Sequence, residues 1–261
     1  MSPLLRAVAG LLLLFGSARP VLAQLPEARV ADDNRHLWLV YNGSFRLAEH
    51  WGLYTEAQLR RANFGRAPQQ NLVRAAVDYH ACKNLMLSGG YAYQKSFPYG
   101  DFPAASNSPE NRLYEQLVLR DEAGRLRLQH RYRLEQRWIR WPDDATFTYQ
   151  NRTRYQLRAQ LPLFGPELTP RMPYLVASDE VFINFGRHVR SNIFDQNRFY
   201  AGFGYAASKF VNLEAGYLNQ LVQQRNGRVF EHNHTLQLSV LLNVDLRRDP
   251  RGVAEPQSAN D

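Results

Sequence analysis

The alternation of residue types in residues 125–138 restricts the fold of this chain more than any other feature. Leucine and aromatic side chains occupy one parity of this segment, and arginines with one glutamate occupy most of the other. Successive side chains of a β-strand point to opposite faces, whereas on an α-helix the same arginines would surround the axis. The segment therefore predicts a strand with one apolar face and one row of arginines.

The same period of two extends over most of the chain, from Arg35 to Leu246. Turn residues interrupt it at intervals that indicate about eleven strands of about 9 to 15 residues each. Short connectors, such as residues 47–50 and 81–84, alternate with longer ones, such as residues 96–109. Long strands joined in this way are typical of outer-membrane barrels, in which tight periplasmic turns alternate with longer external loops.

The distribution of charge favours a membrane barrel over a soluble β-sandwich. A soluble β-protein fills its interior with apolar side chains, but here the polar faces of the strands carry many arginines. We therefore predict an all-β fold, an antiparallel transmembrane β-barrel with apolar residues toward lipid, aromatic residues at the interfaces and polar residues in the lumen. A soluble barrel that holds a ligand is the alternative.

The number of strands is the open point of this prediction. Single-chain bacterial barrels normally have an even number of strands, so a count of eleven suggests that one has been missed or split. Residues 24–31 are the candidate for an additional weak strand. The prediction is therefore about twelve strands, with ten as the alternative.

The first 23 residues have the pattern of a cleaved secretory signal peptide. Arg6 precedes an apolar run too short to span a membrane, and Val21, Leu22 and Ala23 form a small-x-small cleavage site. The predicted organisation is a signal peptide over 1–23, a barrel over 24–246 and a polar tail over 247–261. An uncleaved membrane anchor is the alternative. Cys82 stands alone, which excludes an intramolecular disulfide and a cysteine zinc cluster.

Several stretches carry a resemblance to a known family. They are the octapeptide His-Arg-Tyr-Arg-Leu-Glu-Gln-Arg at 130–137, Arg-Thr-Arg at 152–154, and residues 180–184, 196–198 and 215–217. In these the chain resembles domain-of-unknown-function family 2490, whose members look like small outer-membrane barrels of Gram-negative bacteria. The resemblance implies a barrel fold and a location in the bacterial outer membrane. It implies no activity.

Arginine dominates the basic residues, with 29 arginines against 3 lysines. The guanidinium group stays charged, and its planar fork binds carboxylates and phosphates at two points. Strand parity also places Arg74, Arg112 and Arg120 among the polar faces. The candidate lumen residues, for anion binding or for ion pairs, are Arg125, Arg127, Arg131, Arg133, Glu135, Arg137, Arg152, Arg154, Arg158, Glu180 and Arg198.

Two interpretations of this lumen follow. In the favoured one, the arginines pair with acidic residues and fill a structural or plugged barrel; the acids are Glu56, Asp78, Glu115, Glu135, Glu180 and Glu214. In the alternative, the excess of arginines over acids needs water or a ligand, and the barrel is a narrow anion-selective pore for acidic or phosphorylated solutes.

An outer-membrane lipid hydrolase is a second alternative, because His232 and His234 share a face and Ser239 lies farther along the same segment. The chain has no GxSxG sequence, so we predict no catalytic residue, metal or cofactor. The expected partners are outer-membrane lipids, with a possible anionic small solute in the lumen. Lipopolysaccharide phosphates are further candidate partners, and they would be attracted to arginines of the external loops, Arg187, Arg190, Arg225 and Arg228. Export argues against nucleic acid as the reason for the basic charge.

Overall fold

The computed structural model describes residues 29–142 and 144–247, and nearly all of them belong to strands or to their connections. The only helical element in this range is a short 3-10 turn, Asn63–Gly65, and none of these residues forms a helix long and apolar enough to cross a membrane. The strands are β1 (Val30–Arg46), β2 (Trp51–Ala62), β3 (Ala67–His80), β4 (Leu85–Ser96), β5 (Ser108–Ala123), β6 (Leu126–Ile139), β7 (Thr148–Pro162), β8 (Met172–Phe185), β9 (Phe194–Ala206), β10 (Val211–Gln223) and β11 (Val229–Asp245).

These eleven strands form one closed barrel. Each strand pairs with its neighbour in sequence in an antiparallel manner, and β1 closes the barrel by pairing with β11 in parallel. The all-β barrel is thus confirmed, but the count of twelve or ten is wrong over the described range. With an odd number of alternating strands the first and last run in the same direction, so closure needs a parallel pair. Val30 and Ala31 belong to β1; the rest of the proposed extra strand, residues 24–28, lies outside the described residues.

The two ends of the barrel differ in their connections. The turn end carries 47–50, 81–84, 124–125, 163–171 and 207–210, and the loop end carries 63–66, 97–107, 186–193, 224–228 and the connection from β6 to β7. β1 begins at the loop end and β11 finishes at the turn end. The predicted signal peptide (1–23) and all of the predicted tail (247–261) except Arg247 lie outside the described residues.

The barrel wall is apolar outside and charged inside, as the alternation in residues 125–138 predicts. Phe203 is 68% exposed on the outer face, and Tyr132 and Leu134 are also exposed there. Between the latter two, Arg133 is 2% exposed, and Glu135 on the same inward face is fully buried. The usual arrangement of a soluble barrel is therefore inverted.

Tyrosine rings pack against glycines on the inner face of the wall. A Cβ added at Gly216 would lie 2.7 Å from Cε2 of Tyr200, and one added at Gly90 would lie 2.8 Å from Cε1 of Tyr114. Gly204 faces the ring of Tyr174 in the same way. Glycine lets each ring lie against the neighbouring backbone, so large aromatic groups fit beside the charged side chains of the lumen.

Candidate functional site: an arginine-rich lumen

The interior of the barrel contains a cavity of about 1370 Å³, called here the lumen cavity. Its walls include Phe102 and Trp141 at the loop end, Arg131 and Arg154 midway, and Lys83 at the turn end. The cavity thus has lining residues along the whole length of the barrel. Its chemistry is set by which charged groups reach its wall and how they are paired.

A chain of ion pairs, called here the central belt, connects β6, β7 and β8. Glu135 Oε2 accepts from Arg152 Nη2 at 2.6 Å, and its Oε1 accepts from Arg154 Nη1 at 2.7 Å. Arg154 Nη2 also donates to Glu180 Oε1 at 2.7 Å, and Arg131 Nη2 reaches the same oxygen at 2.7 Å. Register places Glu135 directly opposite Arg152. Two carboxylates thus hold three arginines in a buried network, where each ion needs its partner.

Other arginines pair with acids that the sequence did not single out. Glu110 accepts from Arg112 and, at 2.5 Å, from Arg137, and Asp195 accepts from Arg152 at 2.5 Å. Both acids lie at the start of their strands: Glu110 directly follows the predicted connector 96–109, and Asp195 is the last residue of a second predicted connector, 185–195. Strand ends are the part of a strand that alternation defines least well, which explains the omission.

Two predicted acids of the lumen have partners. Glu56 Oε2 accepts from Arg74 Nη1 at 2.5 Å. Glu214 accepts from Arg158 and, at 2.8 Å, from the hydroxyl of Tyr174. The predicted pairing is therefore present on several sides of the lumen. It is wrong for Glu115, which is exposed on the outer face and accepts from Gln136, and Asp78 is buried without an arginine within 4.0 Å among the described residues.

Arginines inside the barrel also stack on three buried aromatic rings, those of Trp38, Tyr114 and Phe182. Phe182 lies 4.3 Å from Cζ of Arg154, and Tyr114 lies 4.5 Å from Cζ of Arg133. The attraction between a cation and a ring offsets part of the cost of burying the charge. The alternation of residue types predicts aromatic residues at the membrane interfaces, and these three rings are not among the predicted lumen residues.

Several lumen arginines have neutral partners. Arg60 donates from Nε to Gln58 Oε1 at 2.8 Å and also contacts Gln70. Arg198 Nη2 donates to Gln196 Oε1 at 3.2 Å. Within the described ranges, neither arginine has a carboxylate oxygen within 4.0 Å. Arg60 was missed as a candidate, although its parity, the same as that of Glu56, was the available signal.

Arg133 is an intermediate case. Its Nε and Nη2 both donate to Gln116 Oε1, at 3.1 and 2.6 Å. The nearest carboxylate oxygen in an ion pair is Glu135 Oε1, which lies 3.9 Å from Nη1. Its charge is therefore only weakly compensated.

Nine of the eleven predicted lumen residues line the cavity or contact the groups that do; they are Arg131, Arg133, Glu135, Arg137, Arg152, Arg154, Arg158, Glu180 and Arg198. Arg125 lies in the two-residue turn before β6, exposed, and donates to the Pro162 carbonyl at 2.5 Å. Arg127 has the inward parity but lies beside the turn, 3.9 Å from Glu122, and is not among the residues that line the cavity. Alternation places a side chain on a face of the strand; it does not say how far along the strand the lumen reaches.

The connection 97–107, called here the covering loop, folds across the loop end. Tyr99 Oη donates to Glu231 Oε2 at 2.6 Å, and its ring makes an edge contact with His36 at 5.2 Å. Gln224 Nε2 donates to the Phe102 carbonyl at 3.2 Å. Burial, together with the adjacent Glu231 carboxylate, raises the pKa of Tyr99 well above its usual range. The loop thus reaches the strands on the far side of the barrel and narrows the mouth of the cavity.

The residues considered for a hydrolase lie on opposite faces of β11. His234 lies on the outer face, where its Nδ1 is 2.6 Å from Tyr217 Oη, and His232 has the same parity. Ser239 is buried on the lumen side. In the part of the chain that the structure describes, no group of three or more His, Cys, Asp or Glu residues is placed to hold a metal ion.

Comparison with known proteins identifies a family. No curated protein and no solved structure shows a significant match to the chain. The family profile described as "Protein of unknown function (DUF2490)" matches residues 35–231, from within β1 into β11. This match covers most of the barrel, including the central belt. The resemblance found in the sequence is confirmed, and the chain belongs to the DUF2490 family.

Proposed function

We propose that this protein is an outer-membrane β-barrel that provides a narrow, anion-selective route through its lumen. One observation carries the proposal: the lumen cavity has lining residues from both ends of the barrel, and among them fourteen arginines face eight acidic residues. A water-filled path with fixed positive charge lowers the energy of an anion and raises that of a cation.

The outer face supports insertion in a membrane. Large apolar side chains are exposed all around the barrel, among them Leu39, Val73, Leu134, Phe203 and Leu238. Such a surface is unfavourable in water and suited to acyl chains. Closure of the barrel satisfies the other requirement, because an open strand edge in hydrocarbon would leave backbone groups without hydrogen bonds.

Aromatic pairs near both ends of the barrel support the same proposal. Trp51 and Tyr79 contact each other on the outer face at the turn end, with ring centroids 5.0 Å apart. Trp138 and Tyr149 do the same near the loop end, at 5.3 Å. Tryptophan and tyrosine at these two levels match the aromatic girdles of membrane barrels. With a signal peptide over residues 1–23, the proposed location is the bacterial outer membrane.

The arrangement of the central belt favours anions over cations within the lumen. Arg131, Arg152 and Arg154 line the cavity together with Glu180, whereas Glu135, which pairs with two of these arginines, is fully buried and does not line it. An ion in the cavity therefore meets three guanidinium groups of the belt and one of its two carboxylates. The central belt keeps its charges paired and still presents positive charge to the path.

Planar bilayer recording of the full chain tests the proposal. We expect resolved conductance steps. In a KCl gradient, we expect the reversal potential to shift toward the equilibrium potential of chloride, as it does for a chloride-selective pore. Replacing both Arg131 and Arg133 with glutamate should reduce or invert that selectivity. Arg127→Glu on the same strand is the matched control, because Arg127 does not line the cavity. Folded, reconstituted protein that gives no steps would refute the route.

A structural barrel with a closed lumen is the second candidate, and the central belt itself favours it. Two carboxylates bridge three arginines on three consecutive strands, an arrangement that holds the wall together and fills its interior. If this is the role, the bilayer recordings should stay silent while the protein remains folded. The same experiment therefore separates the two candidates.

A further inference from the structure

Two arginines from separated strands share one tryptophan ring inside the lumen. Cζ of Arg60, on β2, lies 4.0 Å from the ring centroid of Trp38, and Cζ of Arg198, on β9, lies 5.2 Å from it. The indole Nε1 donates to Gln69 Oε1 at 2.8 Å, which fixes the orientation of the ring. Because both carbons lie close to one ring, they are no more than about 9 Å apart.

Neutral amides surround these two charges. The side-chain hydrogen bonds of Arg60 go to Gln58 and Gln70, and that of Arg198 goes to Gln196. Glu180 stands opposite Arg198 in the register of β8 and β9, but its Oε1 accepts from Arg131 and Arg154. The carboxylate nearest in register is therefore engaged elsewhere, in contrast to the pairing of the central belt.

The geometry places positive charge at the cavity wall and leaves one guanidinium donor without a partner. Arg60 is 5% exposed, and both arginines line the lumen cavity. The Nε of Arg198 is buried and has no hydrogen-bond partner among the described residues. Contact with Trp38 offsets part of the burial cost but leaves neither arginine in a direct ion pair. Two adjacent cations in a low-dielectric wall are stable only if water or an anion compensates them.

We infer that Arg60 and Arg198, held at Trp38, form a binding site for an oxyanion, a carboxylate or phosphate group carried by a solute in the lumen. Guanidinium groups bind such groups at two points, which a spherical anion does not permit. The inference deepens the proposed function and rests on it, because the solute must enter the lumen from solution. Arg60 and Arg198 would thus form a binding site for the anion along the proposed route through the barrel.

Calorimetric titration of the folded full chain in detergent micelles tests the site. The probes are inorganic phosphate and citrate, each against chloride at matched ionic strength. We expect saturable binding of at least one of the two oxyanions and no comparable signal with chloride. Arg60→Gln and Arg198→Gln should each weaken that binding at least tenfold. Arg127→Gln, at the turn end and away from the cavity, should bind like the unaltered protein.

Arg198→Lys and a fluorescence measurement keep the inference testable if the glutamine variants fail to fold. Lysine keeps the charge but lacks the fork, so it should weaken binding less than glutamine does while still weakening it. With Trp51, Trp138 and Trp141 replaced by phenylalanine, phosphate or citrate should change the emission of Trp38 saturably. Oxyanion binding that Arg60→Gln and Arg198→Gln leave unchanged would overturn the inference.

The outcomes separate the site from the route. Anion-selective conductance without oxyanion binding would refute the site and leave the proposed function standing. Oxyanion binding that depends on Arg60 and Arg198, in protein that gives no conductance, would support the site and refute the route.

Discussion

Glu135 and Arg154 form a buried ion pair across the β6–β7 interface, with Glu135 Oε1 2.7 Å from Arg154 Nη1. The carboxylate also holds Arg152 through its second oxygen, while Asp195 accepts from Arg152 and Glu180 accepts from Arg154. Replacement of Glu135 leaves each of these two arginines with one carboxylate fewer, and breaking a buried ion pair costs more than the intact pair contributes. The wall therefore depends on Glu135 for stability and on the surrounding arginines for its charge.

Glu135→Gln should destabilise the barrel strongly. The amide cannot neutralise Arg152 and Arg154, and breaking a buried pair in this way costs about 3–5 kcal/mol. Urea unfolding of the protein in micelles, followed by tryptophan fluorescence, measures the change. Glu122→Gln is the control, since Glu122 is exposed near the turn. Equal midpoints for the two variants would contradict the importance of the central belt.

Gly90→Ala and Gly89→Ala should differ although the two positions are adjacent. A Cβ at Gly90 would lie 2.6 Å from Cβ of Ala76 and 2.8 Å from Cε1 of Tyr114, whereas one at Gly89 meets nothing within 4 Å. Overpacking at Gly90 should cost about 1–3 kcal/mol. At Gly89 stability should stay the same or rise by about 0.5 kcal/mol, because alanine restricts the unfolded chain. Urea midpoints measure both changes, and equal effects at the two glycines would contradict the packing of Tyr114 against the wall.

A disulfide between β1 and β11, the parallel pair that closes the barrel (called here the seam), tests the number of strands. Leu39 on β1 stands opposite Leu238 on β11, so cysteines at both positions, in a Cys82→Ser background, should cross-link on oxidation. Cysteines at Leu39 and Leu242 should not, because the register separates them by about 13 Å along the strand. Cross-linking is read from the mobility of the denatured chain with and without reductant. A further strand between β1 and β11 would prevent the bond at Leu238.

The hydrogen bond from Tyr99 to Glu231 should stabilise the covering loop at neutral pH and lose its effect in alkali. The pKa of Tyr99 is raised in the folded state, so its contribution is complete below the unfolded value of about 10 and declines as pH rises above it. Tyr99→Phe should cost about 1.5–3 kcal/mol near pH 7. The difference in unfolding free energy between the two proteins should shrink above pH 10; a constant difference would contradict this origin.

Alternation predicted most of the residues that face the lumen, because a strand with one charged and one apolar face can be oriented in few ways in a barrel wall. The parity of Arg131, Arg133 and Glu135 put all three on one face, and the structure has them on the inward face. The partner of each arginine did not follow in the same way, since partners such as Asp195 come from other strands and depend on their register. Trp38 and Phe182 show a further limit: a large apolar residue among arginines predicts a lipid face unless stacking against the cations is considered.

The predicted number of strands was wrong because a general preference for even strand numbers was given more weight than the count from the sequence. Alternation gave about eleven strands, and the preference of bacterial barrels for even numbers shifted the prediction to twelve. The seam pairs β1 with β11 in parallel from Val30 to Arg46, so closure is achieved without an even number. The path of the covering loop was also beyond prediction, because the contacts of Tyr99 with His36 and Glu231 join residues far apart in sequence.

The central claim is that the outer face of the barrel meets lipid while the arginines face the lumen. A nitroxide label at Leu134→Cys, in a Cys82→Ser background reconstituted into vesicles, tests it most directly. We expect frequent collisions with oxygen, which concentrates in the bilayer, and few with a water-soluble nickel complex. A label at Ser191→Cys, exposed at the loop end, should show the reverse. Preferential access of the nickel complex to the label at position 134 would contradict the account.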